Sequence, residues 1–255
     1  MLAAGHGRRL GAAGGPGPKW LVEVAGEPIA ERQLQAVEQA LGPDTNVLVV
    51  VGHAAERVEG YCARRAARSP LRPSLVHNPH HASLNNWYSL LIGLDALEEP
   101  LDDRVVVVLN SDLFAPVWWS AAFLAAAVAD LGQAPGTVAV DVGRPLTEEA
   151  MKVAAGPVDD LGRRWCTGIG KVAVPDPVGE YVGMTALAPA GRRRVHDALR
   201  GFVGDPARAD AWYEGAFQDL SAVQPFLSVW PTPSSTWVEI DDGDDLLAAS
   251  RLAGS

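Results

Sequence analysis

Two glycines and two flanking cations near the start of the chain could hold a phosphate chain. The run is Leu2-Ala3-Ala4-Gly5-His6-Gly7-Arg8-Arg9-Leu10, followed by Pro18-Lys19, the apolar stretch Trp20–Val24 and Gly26-Glu27-Pro28-Ile29. Small residues let a backbone approach a phosphate closely, so that its N–H groups act as donors. Arg9 and Lys19 add positive charge on either side of the loop, and a lysine is a point charge on a flexible stem. A lone Gly-x-Gly more often marks a turn than a site. The Walker loop needs Gly-Lys-Ser/Thr, and the dinucleotide fingerprint needs a third glycine opening a helix; neither is present. The specificity lies in the ordered series: Gly-x-Gly-x-Arg-Leu, Pro-Lys, a short apolar strand, Gly-x-Pro.

Two sets of carboxylates could complement those cations. Asp112 stands in Asn110-Ser111-Asp112-Leu113-Phe114, just after the aliphatic run Arg104–Leu109. Ligands of open parallel sheets sit beyond the carboxyl ends of strands. A carboxylate there suits magnesium, which takes one or two protein carboxylates and completes its shell with water and phosphate oxygens. The bland reading of Asp112 is a helix cap before Pro116, for which it sits slightly early. The second set is Trp237-Val238-Glu239-Ile240-Asp241-Asp242, then Asp244-Asp245. Alternation puts Glu239 and Asp241 on one face of a strand end. Asp241 is the expected metal ligand with Asp112, and Glu239 the next candidate. Asp242, Asp244 and Asp245 read as a solvated acidic turn capping the last helix.

Further along, Asn85-Asn86-Trp87-Tyr88-Ser89 follows Asn78-Pro79; two asparagines before a helix can cap it and read a base edge. Lys152 and Lys171 fall in the second half, where an acceptor phosphate is expected to lie, although single lysines are usually solvated surface. Gly179-Glu180-Tyr181-Val182-Gly183 adds a carboxylate and a ring framed by glycines. Eight tryptophans are many for this length. Trp118-Trp119, Trp212-Tyr213-Glu214 and Trp237 are candidates for a cage around a quaternary ammonium, with core packing the better reading of any one of them. His77, His80 and His81 have poor spacing for structural zinc and read as loop residues. Arg192-Arg193-Arg194 reads as a solvated helix face.

These residues must be held by an α/β scaffold. Strand-like and helix-like runs alternate through the first half, which predicts a mostly parallel central sheet with helices on both faces. Asn46–Val51 has the continuous aliphatic pattern of a strand buried on both sides. Helices are expected at Pro28–Leu41, Ala54–Ala67, Ser89–Leu97 and Pro116–Leu131, the last stopping near Gly132, and strands at Ser74–His77 and Arg104–Leu109. In the second half, Thr137–Val142, Met151–Ala155, Gly168–Val174 and Tyr181–Leu187 read as strands of a small β extension over the mouth of the site. Helices at Gly191–Phe202 and Ala211–Leu220, strands at Leu227–Trp230 and Trp237–Glu239, and a helix at Asp244–Leu252 complete the chain. One domain of 255 residues is expected. The glycine loop starts at residue 2, so its first strand is expected to be missing or truncated, and the loop poorly anchored.

The net charge of −10 argues against a general nucleic-acid binder, while leaving room for a nucleotide in one locally cationic cleft. Cys62 and Cys166 are too few and too far apart for a disulfide framework, which suggests a reduced, cytoplasmic chain. Without an apolar run of about 18 residues, no membrane span is expected.

Taken together, the chain resembles the nucleotidyltransferase superfamily, in particular the cytidylyltransferases of the phosphocholine and aminoethylphosphonate type. The carriers are the Leu2–Leu10 loop with Lys19, Asn85-Asn86-x-Tyr88-Ser89-Leu90, Asp112, Met151-Lys152-Val153, Ile169-Gly170-Lys171, Gly179–Gly183, Trp212-Tyr213-Glu214 and Trp237–Asp241. Ser111 departs from the glycine often found before the metal aspartate. The resemblance implies a Rossmann-like nucleotidyltransferase fold, magnesium, and a nucleoside triphosphate, most often CTP. It implies that Leu2, Ala3, Ala4, Gly5, Gly7, Gly52, Asn86 and Ser89 hold the nucleotide. It further implies that Arg9, Lys19 and Lys171 act in catalysis, that Asp112, Asp241 and Glu239 hold the metal, and that Lys152, Glu180, Tyr181, Trp212 and Glu214 bind a small phospho- or phosphono-acceptor. The same resemblance implies a nucleotide-binding half (1–135) and an acceptor-binding half (136–255). Two readings stay beside it: a sugar- or cyclitol-1-phosphate nucleotidyltransferase using another base, and a catalytically dead binding homologue. A glycosyltransferase on the same fold commonly shows Asp-x-Asp where this chain has Asn110-Ser111-Asp112.

Overall fold

The computed structural model describes residues 1–15, 17–97, 104–130, 134–232 and 236–254. In chain order the elements are β1 (Leu2–Ala3), 3-10 turns at Arg8–Gly14 and Lys19–Leu21, β2 (Glu23–Val24), β3 (Glu27–Pro28), α1 (Ile29–Leu41), β4 (Leu48–Val51), α2 (Ala55–Ala66), β5 (Ser74–His77), α3 (Asn86–Ala96), β6 (Val106–Leu109), β7 (Leu113–Phe114) and α4 (Val117–Asp130). There follow β8 (Gly136–Asp141), β9 (Lys152–Val158), β10 (Arg164–Gly170), β11 (Gly179–Leu187), α5 (Pro189–Arg200), α6 (Glu214–Ser221), β12 (Leu227–Thr232), β13 (Val238–Glu239) and α7 (Gly243–Ala253). The chain is an α/β protein, as its alternating pattern predicts. Gly132, the expected stop of α4, lies outside the described residues. No described helix is long and apolar enough to cross a membrane.

Two compact units form. One takes Met1–Leu97, Leu109–Ala125 and Ser235–Ser255; the other takes Glu98–Val108 and Ala126–Ser234. The last segment of the chain therefore belongs with the glycine loop rather than with the second half.

In the first unit, β1, β4 and β5 make a parallel sheet in the order β1-β4-β5. The central strand β4 is aliphatic and buried over Val49–Val51, whereas the edge strand β5 leaves Ser74 and His77 exposed. The strand before the glycine loop is short but present. Leu2 and Ala3 pair with Val50 and Val51, the Val50 N–H donates to the Met1 carbonyl at 2.9 Å, and the His53 N–H donates to the Ala4 carbonyl at 3.1 Å. These backbone bonds anchor the loop that the sequence suggested would be poorly held. Helix α1 buries Ile29, Ala30, Gln33, Leu34, Ala36 and Val37 on one stripe and stops at Gly42, whose φ of 88° ends the helix. Leu10, Val22, Val24, Ile29, Phe114, Ile240 and Ala249 close a core that ties the loop to the chain's last helix.

In the second unit the strands form a six-stranded sheet in the order β6-β11-β8-β12-β10-β9, which takes in β8, β9, β10 and β11, the strands expected as the β extension. β12 runs parallel to β8, while β9–β10 and β8–β11 pair antiparallel. The expected strand Gly168–Val174 lies earlier, at Arg164–Gly170. Irregularities in its register at Cys166 break the alternation from which a strand is read. Helix α3 begins at Asn86 rather than Ser89 because the Asn85 side chain accepts from the Asn86 N–H.

Candidate active site

Two segments far apart in sequence meet behind Asp112. β6 ends at Leu109, and Asn110 bridges to Leu2 in a parallel arrangement. Asp112 then opens β7, which pairs antiparallel with β13 so that Val238 faces Phe114 and Glu239 faces Leu113. The Ile240 N–H donates to the Asp112 carbonyl at 2.9 Å. This register brings one oxygen each of Asp112, Glu239 and Asp241 within 4.8 Å of one another. All three are oxygen donors, the set a hard divalent cation such as magnesium takes. The residues therefore fit the metal that the sequence reading calls for.

Gln33 was not singled out from the sequence, yet it holds this loop. Its amide nitrogen donates to the carbonyls of Asn110 (2.8 Å) and Leu113 (3.0 Å), and its oxygen accepts from Trp20 Nε1 at 3.0 Å. The available signal was its position: a polar residue four places after Ile29, on the buried stripe of α1.

The cations meet the same carboxylates. Lys19 Nζ donates to Asp112 Oδ2 at 3.2 Å and also to Asp241, and Arg9 donates to Asp241 Oδ2 at 2.6 Å. Burial alone would lower the Lys19 ammonium. The charge of Asp112 and the hydrogen bond and charge of Asp241 outweigh it, and the lysine is held above its ordinary value. Gly7, at φ 59°, gives Lys19 its path: a Cβ there would stand 2.8 Å from Lys19 Cγ.

The remaining first-unit candidates line the carboxyl ends of β1, β4 and β5. Ala3 and Ala4 are buried, Gly5 is exposed, and Leu2 and Gly7 are half-buried. Gly52 closes β4, and a Cβ on it would meet His81 Cβ at 2.6 Å. Asn86 is half-buried in the first turn of α3. Ser89 is buried and accepts from Asn78 Nδ2 at 3.0 Å, while Asn78 Oδ1 accepts from the His80 N–H at 2.8 Å. Asp242 and Asp245 form a capping box on α7, the role expected of that acidic turn.

The second unit gathers the other candidates. Lys171 Nζ pairs with Glu149 Oε2 at 3.1 Å and lies 4.8 Å from the centre of the Trp212 ring, which is 42% exposed. Lys152 Nζ donates to the Lys171 carbonyl at 2.8 Å. Glu180 faces Asp141 on one side and Lys152 on the other. Burial pushes its carboxyl up, Asp141 adds to that, and Arg144, Lys152 and Lys171 oppose it. Tyr181 and Glu214 are buried; the Tyr181 hydroxyl lies 2.9 Å from that of Tyr213, and Glu214 hydrogen-bonds Tyr213. Trp119 and Trp237 are core residues at 2% and 1% exposure, whereas Trp118 is 61% exposed.

Known proteins share this architecture. The inositol-1-phosphate CTP transferase of T. maritima superposes over 98% of this chain and 94% of its own, with a TM-score of 0.73 at 18% identity. The CTP:phosphocholine cytidylyltransferase of Streptococcus pneumoniae superposes over 99% and 96%, with a TM-score of 0.70 at 16% identity. A putative glucose-1-phosphate thymidylyltransferase of Bacillus anthracis reaches a TM-score of 0.76 at 15% identity, covering 99% and 93%. In sequence, the chain is 36% identical over 116 residues to a bifunctional IPC transferase and DIPP synthase of Rubrobacter xylanophilus. That match takes in 46% of this chain and 24% of the relative's length. The profile of the MobA-like NTP transferase domain matches residues 1–219, and with it the chain belongs to that family of nucleotidyltransferases.

Proposed function

We propose that this nucleotidyltransferase moves CMP from CTP to a small phospho- or phosphono-alcohol or amine and releases pyrophosphate. The observation that carries the reading is the convergence of Asp112, Glu239 and Asp241 with Lys19 and Arg9 beside the Gly5-His6-Gly7 loop. The acceptor oxygen attacks the α-phosphorus, a new P–O bond forms, and the bond to the leaving pyrophosphate breaks. A phosphate or phosphonate is already largely ionised near neutral pH, so no residue need act as general base. The chemistry then depends on aligning and screening two polyanions. The Leu2-Ala3-Ala4 segment at the end of β1 and the loop N–H groups of Gly5 and Gly7, with Gly52, Asn86 and Ser89, orient the nucleotide. Arg9 and Lys19 meet the charge of the triphosphate. Asp112, Asp241 and Glu239 would hold magnesium, which would supply further positive charge at the phosphates.

For the acceptor, Lys171 and Lys152 answer its phosphate, while Glu180 and Trp212 suit a compact, cationic head group; Tyr181 and Glu214, expected beside them, are buried against Tyr213 rather than offered to it. The Lys171 ammonium, 4.8 Å from the centre of the Trp212 ring, supports the reading of that ring as a cation-binding face. Names of similar proteins support cytidine: two structural neighbours use CTP by name. A sugar- or cyclitol-1-phosphate acceptor is the second reading, favoured by the inositol-1-phosphate and glucose-1-phosphate neighbours. The reaction belongs in the reduced cytoplasm, in keeping with two buried free cysteines.

The test is pyrophosphate release from four triphosphates against phosphocholine, aminoethylphosphonate, hydroxyethylphosphonate, inositol phosphate and glucose 1-phosphate. Turnover with CTP and a choline-like or phosphonate acceptor is expected. Turnover confined to a hexose or inositol phosphate promotes the second reading, and silence with every pair points to a non-catalytic homologue.

A further inference from the structure

Four imidazoles gather where β1, β4 and β5 end. His6 lies between Gly5 and Gly7, His53 follows Gly52, His77 ends β5 opposite Val51, and His81 stands four residues on. The His6 ring stacks on His53, with centroids 4.4 Å and planes 25° apart. His6 lies 5.1 Å from His81, and His81 lies 6.1 Å from His77. Backbone features hold the group in place. Ala54 adopts a left-handed φ of 49° just after His53, and Gly52 leaves the room that His81 fills. A left-handed alanine is strained, and such strain clusters at functional sites. The Nδ1 atom of His81 is buried without a hydrogen-bond partner.

Metal binding does not account for the group. Among the described residues, Asp112, Glu239 and Asp241 are the set that brings three ligand atoms within 4.8 Å. Charge does account for it. The elements packed here also carry Arg9 and Lys19 on the loop, Glu56 and Arg57 in the first turn of α2, and His80 and Tyr88 from the β5–α3 segment. Arg9 and Lys19 pair with Asp241 and Asp112. Neighbouring imidazoles repel one another once charged, and His81 is held below its ordinary value by burial, then by His77 and His53. A polyanion arriving at the glycine loop reverses that balance.

We propose that His6, His53, His77 and His81 form a proton-loading subsite of the nucleotide site, drawing protons as a nucleoside triphosphate binds. The inference rests on the reading of the glycine loop as the triphosphate site. It adds a binding role for His77 and His81, which the sequence suggested were only loop residues. Imidazole is suited to this because its ordinary pKa of about 6.5 lies beside physiological pH.

The experiment is titration calorimetry of CTP with magnesium, in buffers of different ionisation enthalpy, at pH 6 to 8. Wild type is compared with His53→Gln, His81→Gln and the exposed-site variant His77→Gln. The triphosphate has its own protonation near pH 6, so the difference between wild type and variant is what counts. Wild type is expected to take up more protons than each variant and to lose affinity more steeply with rising pH; each whole proton taken up is about tenfold in affinity per pH unit. Imidazole NMR resonances should show raised titration midpoints on CTP addition. Equal proton uptake, equal pH slopes and unmoved midpoints overturn the subsite while leaving the nucleotidyl-transfer reading intact. Absence of binding by CTP and the other three triphosphates overturns both.

Discussion

Lys19 reaches Asp112 at 3.2 Å across 93 residues of sequence, and the same ammonium bonds Asp241. One ammonium thus bridges two of the three clustered carboxylates. In the proposed reaction these pairs would redistribute, Lys19 toward the triphosphate and the carboxylates toward magnesium.

Removal of either aspartate separates chemistry from folding. Asp112→Ala or Asp241→Ala should lower kcat by at least about 100-fold, the scale of losing a group that stabilises transferring phosphate. Both side chains are partly exposed, so the thermal midpoint should move little. Steady-state pyrophosphate release and thermal unfolding check this. Near-normal turnover by the Asp112 variant removes it from the mechanism.

The two lysines should divide their labour. Lys19→Ala should weaken CTP binding by about tenfold, roughly the value of one charge-assisted contact. Lys171→Ala should raise the acceptor KM and leave CTP affinity unchanged. Because Lys19 is held above its ordinary value, the stabilisation from its pairing is complete below the usual lysine range. It is lost only as pH rises through the raised value, so Lys19 contributes no stability change between pH 6 and 9. Denaturation of wild type and Lys19→Met across that range should give parallel curves from this group.

Glu180 predicts a pH dependence of opposite origin. Its folded carboxyl binds a proton more readily than an ordinary glutamate, chiefly through burial. The native state is therefore favoured by protonation, and stability falls as pH rises from the usual glutamate value through the raised one. Glu180→Gln should flatten that slope in urea titrations from pH 4 upward. It should also impair acceptor KM more than CTP binding. An unchanged acceptor KM removes Glu180 from that pocket.

Gly52→Ala tests the packing between the β4 turn and His81. The added methyl meets His81 at 2.6 Å, so something must shift, at a cost of about 1–3 kcal/mol in a packed region. Reduced thermal stability together with weaker CTP binding is expected. Retention of wild-type values in both shows that the His81 side chain moves aside freely.

Arg65→Ala tests the scaffold away from the site. Arg65 is 1% exposed and binds Glu31 and Glu38, each at 3.2 Å, together with the Leu71 carbonyl and Ser69. Loss of a buried cation that leaves carboxylates without it destabilises by about 3 kcal/mol. Urea denaturation should show this with m unchanged, while Arg65→Lys should recover only part, lacking the planar fork.

Local patterns were legible without coordinates. The aliphatic runs of β4 and β5, the helical stripe of α1 with its glycine stop, and the acidic cap of α7 are decided by residues near one another in sequence. Their side chains and backbone satisfy one another over a few positions. The order of Gly-x-Gly, Pro-Lys and a lone aspartate after a strand also pointed to phosphate chemistry. The β10 boundaries were less legible because register irregularities at Cys166 hide the alternation.

The tertiary structure alone decided who meets whom. The pairing of β7 with β13 sets Glu239 opposite Leu113 and brings Asp241 to Asp112 and Lys19; no local spacing encodes a register between segments so distant in sequence. Gln33 became the clamp of the Asp112 loop only because α1 packs against that loop's carbonyls. Tyr181 and Glu214 turned inward to Tyr213 because β11 and α6 bury the faces that carry them, whereas Trp212, a neighbour in sequence, stays exposed with Lys171 over its ring. Four scattered histidines became one cluster because parallel strands end side by side. Sequence sets which groups are available and the local shape of each segment; burial and register, collective properties of the whole fold, decide which of them share a site.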